Sequence, residues 1–288
     1  MADRSGVTAQ HRAMSAARGL ALACHLPPTV AVTAFAVVLA ALAGVPAGHC
    51  VLVAAAVLGG QLTIGWSNDR IDAARDARVG RRDKPIATGA LDRVTVDRAI
   101  MIGLVATLGF SLSLGPRAAV ANLIVVASGW AYNLGLKATW WSWLPYAVAF
   151  GSLPAVATLA LPHPAWPAPW LVSAGACLGV VGNLTNALPD VVDDERTGVR
   201  GAPHRLGARW CLVLSSVLLL ASTALAVFGP KEPPGVAGYV GLVIAVLLAS
   251  AGCSWALNHP RAKATFYGLF AFVALQLALL AITSEHLR

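Results

Sequence analysis

The sequence predicts an all-α polytopic membrane protein, a bundle of nine transmembrane helices. Three observations predict it. The 288-residue chain is 57% hydrophobic and 12% charged, with a mean hydropathy of +0.70, where an average soluble domain is roughly 25% charged. Apolar stretches of about 20 residues, each long enough to cross a hydrocarbon core, recur along the whole chain. The few charges fall between those stretches. Disordered chains, coiled coils and water-soluble domains of this length are excluded on composition. Strand-like alternation is absent, which argues against a membrane barrel with its segments of about 10 alternating residues.

The expected spans are 19–44, 48–67, 95–114, 117–135, 141–161, 168–187, 208–229, 235–256 and 264–283. Gly115-Pro116, Pro162-His163-Pro164 and the run from Gly229 to Pro234 punctuate them. Residues 1–18 are polar and basic and lack the short apolar core and cleavage site of a signal peptide. They read as a cytoplasmic tail or interfacial helix. Cys24, Cys50, Cys177, Cys211 and Cys253 lie in or beside spans without CxxC spacing and read as small apolar fillers.

Charge orients the bundle. With the N-terminus in the cytoplasm, 18 of the 21 Lys and Arg fall on the inner side; Arg117, Lys231 and Arg288 fall outside. The positive-inside rule therefore places the chain in the cell membrane with a cytoplasmic N-terminus and an outer C-terminus. The net charge of +8 is an orientation signal. Nucleic acid is not an expected partner, because the basic residues interleave with acids and form no single stripe.

The acids carry the chemistry. Ten of the 13 lie in two inner loops: Asp69, Asp72, Asp76, Asp83, Asp92 and Asp97 after the second span, and Asp190, Asp193, Asp194 and Glu195 after the sixth. At 100° per residue, Asp69, Asp72 and Asp76 share about 60° of a helix face, and Asp190 and Asp194 also share one. Clustered carboxylates at helix C-termini repel one another and meet an unfavourable dipole. A bound hard cation such as Mg²⁺ is the simple reason to keep them there.

The two loops are copies. At an offset of 118 residues, Asn68 meets Asn186, Asp72 meets Asp190, and Asp76 meets Asp194. Arg78, Gly80, Arg82, Pro85 and Gly89 meet Arg196, Gly198, Arg200, Pro203 and Gly207. The offset implies one domain made of two parallel four-helix repeats, about 19–135 and 136–256, plus an extra helix at 264–283. Both acidic loops then face each other at the cytoplasmic side. Arg82, Lys84, Arg200 and Arg205 add cationic donors. Metal between carboxylate and phosphate, with Arg or Lys on the remaining oxygens, makes a diphosphate site. Opening into an apolar bundle, it suits an isoprenoid diphosphate.

These residues resemble the UbiA superfamily of intramembrane prenyltransferases. The family's NDxxDxxxD motif is matched by Asn68-Asp69-Arg70-Ile71-Asp72-Ala73-Ala74-Arg75-Asp76, and its DxxxD motif by Asp190-Val191-Val192-Asp193-Asp194. Arg81 to Gly89, Gly198-Val199-Arg200 with Arg205-Leu206-Gly207, and Tyr132 to Lys137 resemble its flanking stretches. The resemblance implies Mg²⁺-dependent transfer of a prenyl group from its diphosphate to a small, aromatic or quinone-precursor acceptor. It implies catalytic and metal-binding roles for Asp69, Asp72, Asp76, Asp190 and Asp194, with Asn68 and Asn186 as direct or outer ligands. Arg82, Lys84, Lys137 and Arg200 would contact diphosphate. Asp83 departs from the family's basic stretch, where it would cancel part of the positive charge or pair with Arg82. Ala187 stands where second motifs of the family often carry another acid.

Tyr132, Trp66 and His25 are candidates for the acceptor side, with Trp130 and Tyr146 also near span ends. Aromatics there equally serve as interfacial belts. Gln61 and Asn122 are expected to face the bundle interior. A terpene cyclase, or transfer of phosphoribosyl to polyprenyl phosphate, would use the same site. A transporter would place charges near the midplane, where these spans carry almost none.

Overall fold

The computed structural model describes residues 16–259 and 263–282. The expected tail before residue 16 and the chain after residue 282 lie outside them. The described residues form helices α1 (Ala16–Ala23), α2 (Leu26–Leu42), α3 (Ala47–Arg78), α4 (Arg93–Ser113), α5 (Pro116–Leu134), α6 (Trp143–Leu159), α7 (Pro169–Asn186), α8 (Val191–Arg196), α9 (Ala202–Phe228), α10 (Val236–Asn258) and α11 (Lys263–Ile282), with no strand among them. All nine expected stretches are thus helical. Length and apolarity qualify six helices as membrane-spanning, or seven if α1 and α2 count as one bent span. The chain is therefore a multi-pass membrane protein, and nine is not the number of spans these criteria return.

Three helices depart from the expected boundaries for local reasons. The first span is two helices bent by 69°. Pro27 and Pro28 supply no N–H and disfavour helix just before them, and His25 at the break is left-handed (φ 54°, ψ 60°). α3 runs 32 residues, three turns past the expected end at 67, because no Gly or Pro interrupts the polar continuation before Gly80 (φ 72°). α9 begins six residues earlier than expected and is kinked at Gly207 (φ 77°, ψ 158°).

The helices sort by burial. α6 and α7 are central, whereas α4 and α10 are peripheral and turn Met101, Ile102, Val105, Val243 and Leu247 outward. Large apolar side chains facing outward in this number suit lipid. α6 and α7 approach closely through small residues, as membrane helices do where no hydrophobic effect drives packing. A Cβ on Gly175 would stand 2.6 Å from the Phe150 carbonyl oxygen, and one on Gly179 2.2 Å from that of Tyr146. Gly179→Ala is accordingly expected to lower the unfolding midpoint in detergent, at an overpacking cost of about 1–3 kcal/mol; tryptophan fluorescence during thermal unfolding reads it.

Buried polar side chains fasten the rest. Asn122 donates to Ala56 O at 3.2 Å and Ser111 Oγ at 2.9 Å, tying α5 to α3 and α4. Gln276 Nε2 donates to Ser222 Oγ at 2.7 Å, tying α11 to α9. In an apolar surrounding each such bond matters because its alternative is an unpaired polar group. The five cysteines are free thiols, as the filler reading requires.

Candidate active site

Two chambers meet at one end of the bundle. The apolar one, about 220 Å³, lies between α2, α3, α5, α6, α7 and α11, with Val32, Phe35, Ile64, Val125, Phe150 and Leu153 among its walls and Gln61 reaching in. The polar one, about 290 Å³, carries Asp72, Arg75, Asp76, Arg81, Asp83, Lys84, Lys137, Asp190, Asp194 and His204. His25, Pro28, Asn68, Tyr132 and Asn186 line both. At this junction Tyr132 and Tyr146 pack edge to face, centroids 5.1 Å apart, and Asn186 Nδ2 donates to the Tyr146 hydroxyl at 3.3 Å. Asn68 Nδ2 donates to Asn133 Oδ1 at 3.1 Å.

The first motif sits on the last turns of α3. The second does not continue α7. Pro189 stands where Ile71 stands in the first motif, and α7 gives way to the 3₁₀ turn Leu188–Asp190 and the short α8. The matched glycines nevertheless agree in φ: Gly80 and Gly198 have 72° and 82°, Gly89 and Gly207 75° and 77°. A Cβ is strained at such angles, so glycine is favoured at each of these turns and at the α9 kink.

Each carboxylate is held by a cation. Lys137 Nζ reaches both Asp72 oxygens at 2.5 and 2.6 Å. Arg75 contacts Asp72 at 2.9 Å, Asp76 at 3.6 Å and Asp194 at 3.8 Å, joining the two motifs. Arg81 joins them again, at 3.2 Å from Asp190 and 2.8 Å from Asp83. The Arg81 hydrogen bond holds the Asp83 carboxyl well below the usual carboxylate range. Burial pushes the Lys137 ammonium below the ordinary lysine value, against the pull of Asp72.

Asp69 differs from the other motif acids. It faces neither chamber directly. Its buried Oδ1 receives Lys84 Nζ at 2.5 Å and lies 3.2 Å from His25 Nε2, while Oδ2 has no hydrogen-bond partner among the described residues. Lys84 and His25 are themselves 2.9 Å apart.

Several expected site residues stand elsewhere. Arg82 and Arg200 are exposed and line neither chamber. The neighbouring Arg81 takes the inward position, and Asp83 pairs with it instead of with Arg82. Trp66 also lines neither chamber; its indole N–H donates to Leu20 O at 2.9 Å and its ring packs in the cluster around Ala23 and Leu91. Two acids of the first loop are structural: Asp92 caps α4 by accepting from Thr95 N at 2.9 Å, and Asp97 pairs with Arg70 at 2.8 Å. Arg75, Arg81 and His204 were not singled out from the sequence. Arg75 has a signal, three residues after Asp72 inside the motif; His204 has none.

The polar chamber is faced mainly by carboxylate and amide oxygens, the set that suits Mg²⁺, together with the imidazoles of His25 and His204. Among the described residues no three His, Cys, Asp or Glu side chains converge on one point, since guanidinium and ammonium groups stand between the acids. That still fits Mg²⁺, which is bound through one or two carboxylates with waters and substrate phosphates.

The model of the UbiA prenyltransferase family matches residues 29–276. The chain belongs to this family. It is a prenyl-transferring enzyme of the membrane, as the resemblance implies. An apo UbiA homologue from Aeropyrum pernix K1 superposes with a TM-score of 0.73 at 20% identity, covering 90% of this chain and 98% of that one. A UbiA homologue from Archaeoglobus fulgidus bound to GPP and Mg²⁺ gives 0.69 at 14% identity, covering 92% and 99%. A structure of digeranylgeranylglyceryl phosphate synthase gives 0.65 at 15%, covering 93% and 96%. At these identities the likeness establishes the shared UbiA fold. No curated protein sequence matches the chain.

Proposed function

We propose that this prenyltransferase moves an isoprenoid chain from its diphosphate to a small aromatic or quinone-precursor acceptor inside the membrane. The polar chamber opens to the cytoplasm, with the N-terminus on that side and the C-terminus outside. One observation carries the reading: a chamber bearing five carboxylates and four cations opens directly on an apolar one. A diphosphate head and a hydrocarbon tail need that adjacency. The Archaeoglobus protein of the same fold, bound to GPP and Mg²⁺, supports it.

Asp72, Asp76, Asp190 and Asp194 would hold Mg²⁺, with Asn68 and Asn186 beside them. When bound, Mg²⁺ neutralises the charge that gathers on the departing diphosphate. Lys137, Arg75 and Arg81 line the same chamber and donate to the remaining phosphate oxygens. Asp69 acts from behind, holding Lys84 and His25 at the junction. The C1–O electron pair leaves with diphosphate, an acceptor electron pair forms the new bond to C1, and the proton that the acceptor carried at that atom passes to the released diphosphate. Tyr132 and Tyr146 present aromatic rings where positive charge develops at C1, an arrangement that attracts cations. The apolar walls keep water from the allylic carbon.

Activity is expected to vanish in EDTA and to return with added Mg²⁺; turnover that persists in EDTA contradicts the proposal. Labelled geranyl, farnesyl and geranylgeranyl diphosphates, screened against phenolic and quinone-precursor acceptors, test the transfer itself. Hydrocarbon release from geranylgeranyl diphosphate alone would assign a cyclase instead.

A further inference from the structure

His204 has a buried side chain in the polar chamber and takes no part in the proposed transfer. Its side chain is 4% exposed, it lines the polar chamber, and neither ring nitrogen has a hydrogen-bond partner among the described residues. A buried polar group left unpaired costs free energy, so a group this well enclosed calls for a reason. Its place is tightly determined. It follows Gly201, where a Cβ would stand 2.5 Å from the Lys137 carbonyl oxygen, and Ala202, whose N–H donates to Ser142 Oγ at 2.9 Å.

His204 Nε2 approaches Asp194 Oδ2 at 3.3 Å without hydrogen-bond geometry. That spacing has another meaning. With metal–nitrogen and metal–oxygen distances of about 2.1 Å, two ligands of one ion lie about 3.0 Å apart at a right angle and about 3.4 Å apart at the tetrahedral angle. The two atoms are thus spaced as neighbouring corners of a coordination shell. Asp190, on the turn before α8, lines the same chamber.

We infer that His204 is a nitrogen ligand to the metal ion of the second acidic motif, which it completes beside Asp194. The inference rests on the proposal that this motif holds metal. The second site is then chemically unlike the first, where Asp72 and Asp76 offer carboxylate oxygens and the nearby His25 ring is engaged with Asp69 and Lys84. An imidazole ligand raises affinity for transition ions relative to Mg²⁺, so the two sites differ in the ions they retain.

Electron spin echo envelope modulation on the purified full chain in detergent, with Mn²⁺ alone as probe, reads the ligand directly. A ¹⁴N coupling from coordinated imidazole is expected, lost in His204→Gln and kept in His25→Gln, His25 being the one other described histidine lining the chamber. The Mn²⁺ dissociation constant should rise roughly tenfold or more in His204→Gln. Bound Mn²⁺ without ¹⁴N coupling, or coupling that survives His204→Gln, overturns the inference and leaves the metal site standing. Failure to bind Mn²⁺ at all overturns both. If His204→Gln does not fold, the wild type and His25→Gln decide: coupling that disappears in His25→Gln overturns the inference.

Discussion

Asp72→Ala is expected to cost both activity and stability, and the two losses have separate causes. The carboxylate faces the polar chamber and is proposed to hold the metal against the diphosphate. Removing a group that stabilises developing charge slows turnover by roughly 10²–10³-fold. The same carboxylate neutralises Lys137, which is 11% exposed and rests on both its oxygens. Taking away one partner of a buried pair costs about 3–5 kcal/mol. The lysine is already displaced toward its neutral form by burial, so its losing the proton would limit the damage. Asp72→Ala combined with Lys137→Met should recover most of the unfolding midpoint and none of the turnover. Recovery of turnover in the double variant would show that Asp72 serves only to pair the lysine.

Lys84→Met is expected to have the next largest effect. Asp69 is fully enclosed, one oxygen is bound by Lys84 and His25, and the other has no partner among the described residues. Without the ammonium group a carboxylate is left uncompensated, again at about 3–5 kcal/mol. The loss should loosen His25 and the bend between α1 and α2, where both chambers meet. Lys84→Met with Asp69→Asn should restore the midpoint, because the buried charge then disappears with its partner. Circular dichroism thermal melts in detergent compare the three variants. A midpoint unchanged in Lys84→Met would mean that the pair contributes nothing to the fold.

Much of this was legible in the sequence because it is written in strong signals. Apolar stretches of membrane-spanning length report helices whatever their neighbours. The acidic motifs stand out against Ala, Leu and Val, and their matched glycines do share a positive φ. Where apolarity ends, however, a helix need not. α3 continues to Arg78 because Ala, Arg and Asp carry the helix once its core-facing stripe has become a chamber wall. The second motif breaks at Pro189, so equal spacing in sequence yields a continuous helix in one case and a turn with a short helix in the other.

Side-chain direction in loops was least legible. Arg81 and Arg82 are adjacent and chemically equivalent, and no periodicity says which turns inward between 79 and 92. Trp66 has the position of an interfacial or site aromatic, yet its N–H satisfies the Leu20 carbonyl where α1 packs across α3. His204 is a single histidine beside Pro203, and its approach to Asp194 becomes evident only when α8 and α9 are brought together.

Release of inorganic diphosphate by purified Asp190→Ala, compared with wild type in Mg²⁺, tests the central claim most directly. The Asp190 side chain is 46% exposed and pairs only through Arg81 at 3.2 Å among the described contacts, so its loss should leave the unfolding midpoint nearly unchanged. The account predicts intact protein whose diphosphate release, with a prenyl diphosphate and acceptor present, falls at least about 10²-fold. Wild-type release from well-folded Asp190→Ala would contradict the claim that the two acidic motifs together form the diphosphate site.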